Sequence, residues 1–349
     1  MSNQTLDDAN SRHAAVSERP RVCRICGGDQ MGEPFSAREM LHGTRETFDY
    51  AECGECGCVQ ILDIPADLSR FYPEDYFSFR AHRDLDRHWV RRFIDPRRVR
   101  AAFGAGDILG DLAERVSRPF EYVSWVRRAG LSFDARVLDV GCGSGKTLLN
   151  MALGGFPKPQ GVDPFIDETL RYEIGVTVHK TTLDEFAIGR DGAFDFIMFH
   201  HSLEHLTDPL TALKIAEGLL SPRGRMLIAV PVAGSWAWEH YGADWCNLDA
   251  PRHIHLLTAK SMARLAAGAG LRVIDARSNG APSQFSGSER YRRDIPANDR
   301  RKDRDLFSRV QLKDWKARAE ALNREGRGDQ TLFTLARRMS ETQPESGPI

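Results

Sequence analysis

The stretch from Arg136 to Leu148, RVLDVGCGSGKTL, constrains this chain more than any other. An apolar run carrying one carboxylate, Asp139, passes straight into glycines at alternate positions, Gly141, Gly143 and Gly145. A strand must therefore lead into a turn whose backbone takes conformations closed to other residues. The residues that follow, KTLLNMAL, repeat apolar side chains at helical spacing, so the turn opens a helix whose first amide groups are free. The lysine after Gly145 imitates a triphosphate loop, but that loop needs a glycine at position 140, where valine stands. A second carboxylate, Asp163, ends the next apolar run, PQGVD, about twenty residues on, where a ribose-binding acid is expected. Both ends of a nucleoside ligand are thus provided for.

The chain of 349 residues, 41% hydrophobic, is long enough for a large core and more than one domain. Its formal charge of -1 gives no global bias toward nucleic acid or an anionic membrane. No apolar run approaches the roughly 20 residues of a membrane helix, and the polar start is no signal peptide, so the expectation is a cytoplasmic protein. The expected organisation is a disordered start (1–20), a cysteine-rich module (21–80), an arginine-rich helical linker (81–130), a nucleotide-binding domain (131–288), and a charged tail, largely helical or disordered (289–349). Within 131–288 strands alternate with helices, which predicts an α/β fold: a Rossmann-like parallel sheet with helices on both faces.

These motifs resemble, in order, the class I S-adenosylmethionine-dependent methyltransferases over residues 136–278. LDVGCGSG and GVDP are joined by FDFIMFHHSLEHLTDP, similar to the fourth motif of the small-molecule members, and by LSPRGRMLIAVP, similar to their fifth-strand motif. A nicotinamide-binding domain would prefer Gly-x-Gly-x-x-Gly, and here the third glycine comes one place early. The resemblance implies S-adenosyl-L-methionine as cofactor, with its methionyl part beside Asp139, Gly141, Cys142, Gly143 and Gly145. It also implies the ribose at Asp163, the adenine near Thr182 and Leu183, and a backbone contact from His200.

A sulfonium methyl is already electrophilic, so the protein has only to align the acceptor and, where needed, remove a proton. His200 and His201 end the fourth strand at the ligand edge of the sheet, and His253 lies in an insertion after the fifth. His201 and His253 are the candidate bases, His201 favoured because a strand end is held more rigidly than a loop. His201, Glu204 and His205 also spell His-x-x-Glu-His, a zinc-peptidase signature, but their place after a strand of a nucleotide-binding sheet argues against hydrolysis. In the similar ubiquinone-pathway O-methyltransferases the matching stretch reads Glu-x-x-Glu-His and has been linked to a divalent metal. This chain departs from it at His201, and two readings of Glu204 and His205 stay open, metal ligands or anchors of a helix start.

Cys23-x-x-Cys26 and Cys53-x-x-Cys56 are paired knuckles suited to one structural Zn²⁺, each with a glycine after its second cysteine, and Cys58 is a spare thiol. With PADLSRFYPEDYF they resemble the zinc-binding front domain of sugar C-methyltransferases. The insertion, VAGSWAWEHYGADWCNLDAPRHIHLLT, holds three tryptophans and a tyrosine; it is expected to wall a small-molecule pocket, with Arg252 and His253 on the acceptor side and His255 a satisfied core histidine. The expected function is methylation of a small-molecule acceptor, a sugar or nucleotide-linked sugar. The alternative is an RNA-binding methyltransferase or non-catalytic adaptor using the zinc module. Acidic residues around the second knuckle, ETFDYAECGECGCVQILD, argue against nucleic acid.

Overall fold

The computed structural model describes residues 22–72, 89–116 and 120–338. The start expected to be disordered lies outside them. The cysteine segment forms three short antiparallel strands, β1 (Phe35–Arg38), β2 (Thr47–Glu52) and β3 (Val59–Ile61). Three helices follow: α1 (Trp89–Ala102), α2 (Ile108–Val116) and α3 (Glu121–Arg128). In α3 the buried residues Tyr122, Val123, Trp125 and Val126 share a core with Leu148, Leu149 and Phe196 of the nucleotide-binding region. The segment expected to be a linker thus supplies a layer of the main domain.

Then come β4 (Val137–Val140), α4 (Lys146–Leu153), β5 (Gln160–Val162), β6 (Leu170–Arg171), β7 (Thr177–His179), α5 (Leu183–Ala187) and β8 (Phe194–His200). α6 (Pro209–Leu219) starts where the Asp208 side chain accepts from the Thr211 amide and proline occupies the first turn, two features that favour initiation. β9 (Leu220–Pro231) leads into the insertion, which contains α7 (Trp236–Tyr241) and β10 (His255–Leu256). α8 (Ala259–Gly268), begun by a Thr258–Ser261 capping box, is followed by β11 (Leu271–Ser278). The remainder forms α9 (Ser283–Arg292), α10 (Asp303–Leu306), α11 (Arg309–Arg324) and β12 (Gln330–Arg337).

The large sheet has the order β11-β12-β9-β8-β4-β5-β7-β6. β4 pairs in parallel with both β5 and β8, so the chain winds outward in both directions from β4 and its carboxyl end marks the switch point where ligands bind. Every residue of β4 is buried, as a strand covered on both faces requires. β12 runs antiparallel between β9 and β11, its Phe333 and Leu335 buried. The expected charged tail is therefore helical only in part, since Gln330–Arg337 completes the sheet. Nothing local marks this strand as internal; two long partners 50 or more residues away in the chain provide its hydrogen bonds.

The small sheet has the order β1-β2-β3-β10, so the insertion contributes its last strand. Cys23, Cys53, Cys56 and Cys58 belong to the same apolar core as Leu138, Val140, Met262 and Leu265. The cysteine segment is built onto the large domain rather than set in front of it. Among the described residues no helix is long and apolar enough to cross a membrane.

Candidate active site

At the carboxyl end of β4 the glycine turn takes the shape its residue types require. Gly141 (φ 73°) and Gly145 (φ 82°) are in the left-handed region, and a Cβ on either would lie 2.5 Å from the Ser202 Cβ or 2.6 Å from a Val178 methyl. Asp163 accepts hydrogen bonds from the Gly143 amide (2.8 Å) and the Phe165 amide (2.9 Å), fixing the turn from the neighbouring strand. Asp139 is buried with Oδ1 lacking a hydrogen-bond partner, and burial together with the charge of Asp163 pushes its carboxyl well above the usual range. It lines a cavity of about 780 Å³, with Gly141, Cys142, Gly143, Lys146 and His200. An orphaned buried carboxylate beside a glycine cradle fits the ammonium end of a methionyl cofactor. Thr182 and Leu183, at the start of α5, lie outside the residues lining this cavity, as does Asp163.

The middle of the cavity is formed where β8 ends. His200 packs its ring against Trp125 at 5.0 Å, and burial with the nearby His201 charge lowers its pKa to about 4. His201 has φ 55°, which turns the chain into the short helical turn Leu203–His205. Glu204 is fully buried, and neither oxygen has a hydrogen-bond partner. His201 Nδ1 stands 3.5 Å and His253 Nε2 4.0 Å from Glu204 Oε1. Burial alone would raise the Glu204 pKa, yet the surrounding histidines pull it down to about 2. Burial would lower the His201 pKa, and Glu204 outweighs it and holds the imidazole above its ordinary value. His253 differs: burial and the charge of His205 lower it to about 4.

The far end is lined by Asn247, Asp249 and His253 from the insertion and by Ser283, Ser286 and Tyr291 from α9. The expected aromatic wall is absent from that lining. Trp245 is fully buried, and the half-buried Trp236 and Trp238 pack on Phe285 and Phe35, so these rings belong to the core that the insertion shares with the cysteine sheet. Arg252 is likewise 0% exposed and does not line the cavity; its guanidinium donates to Glu39 at 3.1 Å and to both oxygens of Asp249. His255 is buried in β10 but not satisfied, since neither ring nitrogen has a hydrogen-bond partner. Asn247, Asp249 and the α9 residues carry no local sequence signal, because their proximity to His201 arises only from folding.

The four cysteines meet as the knuckle spacing predicts. Cys23 and Cys56 Sγ are 3.6 Å apart, as are those of Cys26 and Cys53, and all four lie within 4.8 Å of one another. A tetrahedral ion with sulfur at about 2.3 Å sets neighbouring sulfurs about 3.8 Å apart, so the set fits zinc. Gly27 and Gly57, with φ 75° and 71°, donate back to the carbonyls of Cys23 and Cys53 and close each knuckle. Cys58 is buried beside them and lies outside the four.

Comparison with known proteins agrees with this geometry. Residues 88–276 match the family described as a methyltransferase domain, more than half of the chain, and the chain belongs to that family. Its fold is that of a class I S-adenosylmethionine-dependent methyltransferase. Among curated relatives, the ubiquinone biosynthesis O-methyltransferase of Sodalis glossinidius is 30% identical over 141 residues, 38% of this chain and 57% of the relative. That of Aromatoleum aromaticum is 28% identical over 168 residues, 44% and 70%. The chain thus spans little more than half the length of the first of these relatives. A solved methyltransferase from Archaeoglobus fulgidus aligns with 66% of this chain and 100% of its own, at 20% identity and a TM-score of 0.40. The 1,6-didemethyltoxoflavin-N1-methyltransferase of Burkholderia thailandensis aligns with 84% and 96%, at 16% identity and a TM-score of 0.38.

Proposed function

We propose that this chain transfers the methyl group of S-adenosylmethionine to an oxygen or carbon of a small hydroxylated acceptor, a sugar or nucleotide-linked sugar, and that Cys23, Cys26, Cys53 and Cys56 hold a structural zinc. The observation that carries the reading is one continuous cavity of about 780 Å³ with the glycine turn at one end and the insertion at the other. Its size falls within the roughly 300–1,000 Å³ of small-molecule sites. The cofactor supplies an electrophilic sulfonium methyl. Asp139 and the turn orient it, and Asp163 holds the turn and meets the ribose. His201 takes the acceptor proton, with Glu204 orienting its ring, while His253 flanks the same carboxylate from the insertion. The names of the curated relatives support an oxygen acceptor, and the likeness of the cysteine segment to the front domain of sugar C-methyltransferases supports zinc. Calorimetry with S-adenosylmethionine and S-adenosylhomocysteine tests the cofactor, and transfer of labelled methyl to a panel of sugars and sugar nucleotides tests the acceptor. Binding of ATP in place of the methyl donor overturns the proposal.

One observation favours a second reading, in which a divalent ion takes part. Glu204, His205 and His253 each offer a donor atom, all within 4.8 Å of one another, around a carboxylate that has no hydrogen bond. Such an ion would draw the acceptor oxygen to the wall opposite the cofactor. Mn²⁺ titrated into zinc-loaded protein distinguishes the two: a paramagnetic signal lost in Glu204→Gln supports the ion, and no binding leaves His201 acting alone.

A further inference from the structure

Asp329 stands just before β12, far along the chain from every motif of the site, and is 1% exposed. Burying a carboxylate is costly unless its oxygens are met. Here Oδ2 accepts from the Asn247 amide nitrogen at 2.7 Å and from the Trp245 indole nitrogen at 3.2 Å, while Oδ1 has no partner. Its backbone carbonyl accepts from the Val232 amide at 2.9 Å, where the chain leaves β9 to begin the insertion. The residue thus binds both the root of the insertion and its middle. A neutral packing role would not need an ionisable group there; burial raises its pKa to about 6 despite these donors.

The next link is Asn247 itself. Its backbone carbonyl lies 2.8 Å from Nδ1 of His253. A carbonyl can only accept, so Nδ1 carries the hydrogen and the neutral ring keeps its lone pair on Nε2. That nitrogen faces Glu204 at 4.0 Å and Asp249 at 3.8 Å. The side-chain amide of Asn247 is held by Asp329 and its carbonyl holds His253, so one carboxylate sets the position of both ends of the residue between them.

We propose that Asp329 is a positioning residue of the acceptor site: through Asn247 it fixes the ring and tautomer of His253, so the C-terminal segment completes a site whose motifs lie 70 or more residues earlier. The inference rests on the reading of the cavity above only in taking His253 as part of the acceptor wall, and it holds whether Nε2 serves as a base or as a ligand. It orders an arrangement that the insertion alone would leave to a short loop.

The test is imidazole nitrogen spectroscopy on full-length, zinc-loaded protein with labelled histidine at neutral pH, the His253 signals assigned by their loss in His253→Gln. The expected wild-type pattern is a single form protonated at Nδ1. Asp329→Ala is expected to convert it to a mixture of Nδ1–H and Nε2–H forms, because it removes the oxygen that accepts from both the Asn247 side chain and the Trp245 indole. Asn247→Ala breaks the same link without touching β12 and should give the same mixture. S-adenosylhomocysteine affinity, measured in parallel, should stay within about threefold in both variants. A His253 that remains wholly Nδ1–H in either folded variant overturns the proposal. Failure of the wild type to bind S-adenosylhomocysteine would instead remove the proposed function and leave the tautomer result to judge Asp329.

Discussion

The two ends of the cavity are built on different principles. The cofactor end is made by neighbours in sequence: Asp139 to Gly145 form one turn, and Asp163 reaches it from the adjacent strand. The acceptor end is assembled from Leu41, the Leu203–His205 turn, Asn247–His253 and α9. It is held by bonds that join remote segments. Glu39 meets Arg252, Tyr50 donates to the His253 carbonyl, and Thr258 donates to the Cys56 carbonyl. A site for a cofactor shared by many enzymes can be local. The specific end depends on the packing of the whole chain, including the cysteine segment.

The sharpest way to break this contrast is to disrupt the zinc site proposed at the four cysteines. Cys23→Ser with Cys53→Ser should release one zinc per chain by elemental analysis and abolish methyl transfer, because β10, which follows directly on the His253 segment, pairs with β3 of the cysteine segment. S-adenosylhomocysteine should still bind within a few fold by calorimetry. Equal loss at both ends would show that they are one unit.

Next in size is the proposed base. His201→Ala should lower single-turnover transfer by about 10²- to 10⁴-fold with cofactor affinity retained, and His253→Ala should cost less. The reverse order would move proton removal to the insertion. Parental rates in both would make catalysis alignment alone.

Arg252 probes the joint rather than the chemistry. It and Glu39 are both 0% exposed, so Arg252→Met strands two carboxylates and should lower unfolding stability by about 3–5 kcal/mol in denaturant titration. Glu39→Gln in the same background should recover part of that loss. The smallest effect is expected at the cofactor end, where Asp163→Ala should weaken S-adenosylhomocysteine binding by about 1.5–3 kcal/mol, a loss of charge-assisted hydrogen bonds. An unchanged affinity would confine Asp163 to shaping the turn of the empty protein.

The cofactor end and the cysteine knuckles were legible in the sequence because backbone demands leave residue-type signatures. A left-handed turn against a neighbouring side chain admits little but glycine, as at Gly141 and Gly145, and a tetrahedral ion imposes two-residue gaps between thiolates. The aromatic insertion misled for the opposite reason. Apolar rings near a pocket and apolar rings in a core have the same composition, and only packing placed Trp245 in the core instead of in the wall.

By itself, then, the sequence determined the alternation of strands and helices from β4 onward, the cradle at the carboxyl end of β4 and the four-cysteine cluster, each written by short-range geometry. Tertiary structure alone decided that Gln330–Arg337 is an internal strand, that β10 closes the cysteine sheet, and that His253 comes to 4.0 Å from Glu204. Those facts rest on hydrogen bonds, ion-pair contacts and burial between segments 49 or more residues apart, which constrain where a residue ends up without restricting what its neighbours in the chain must be.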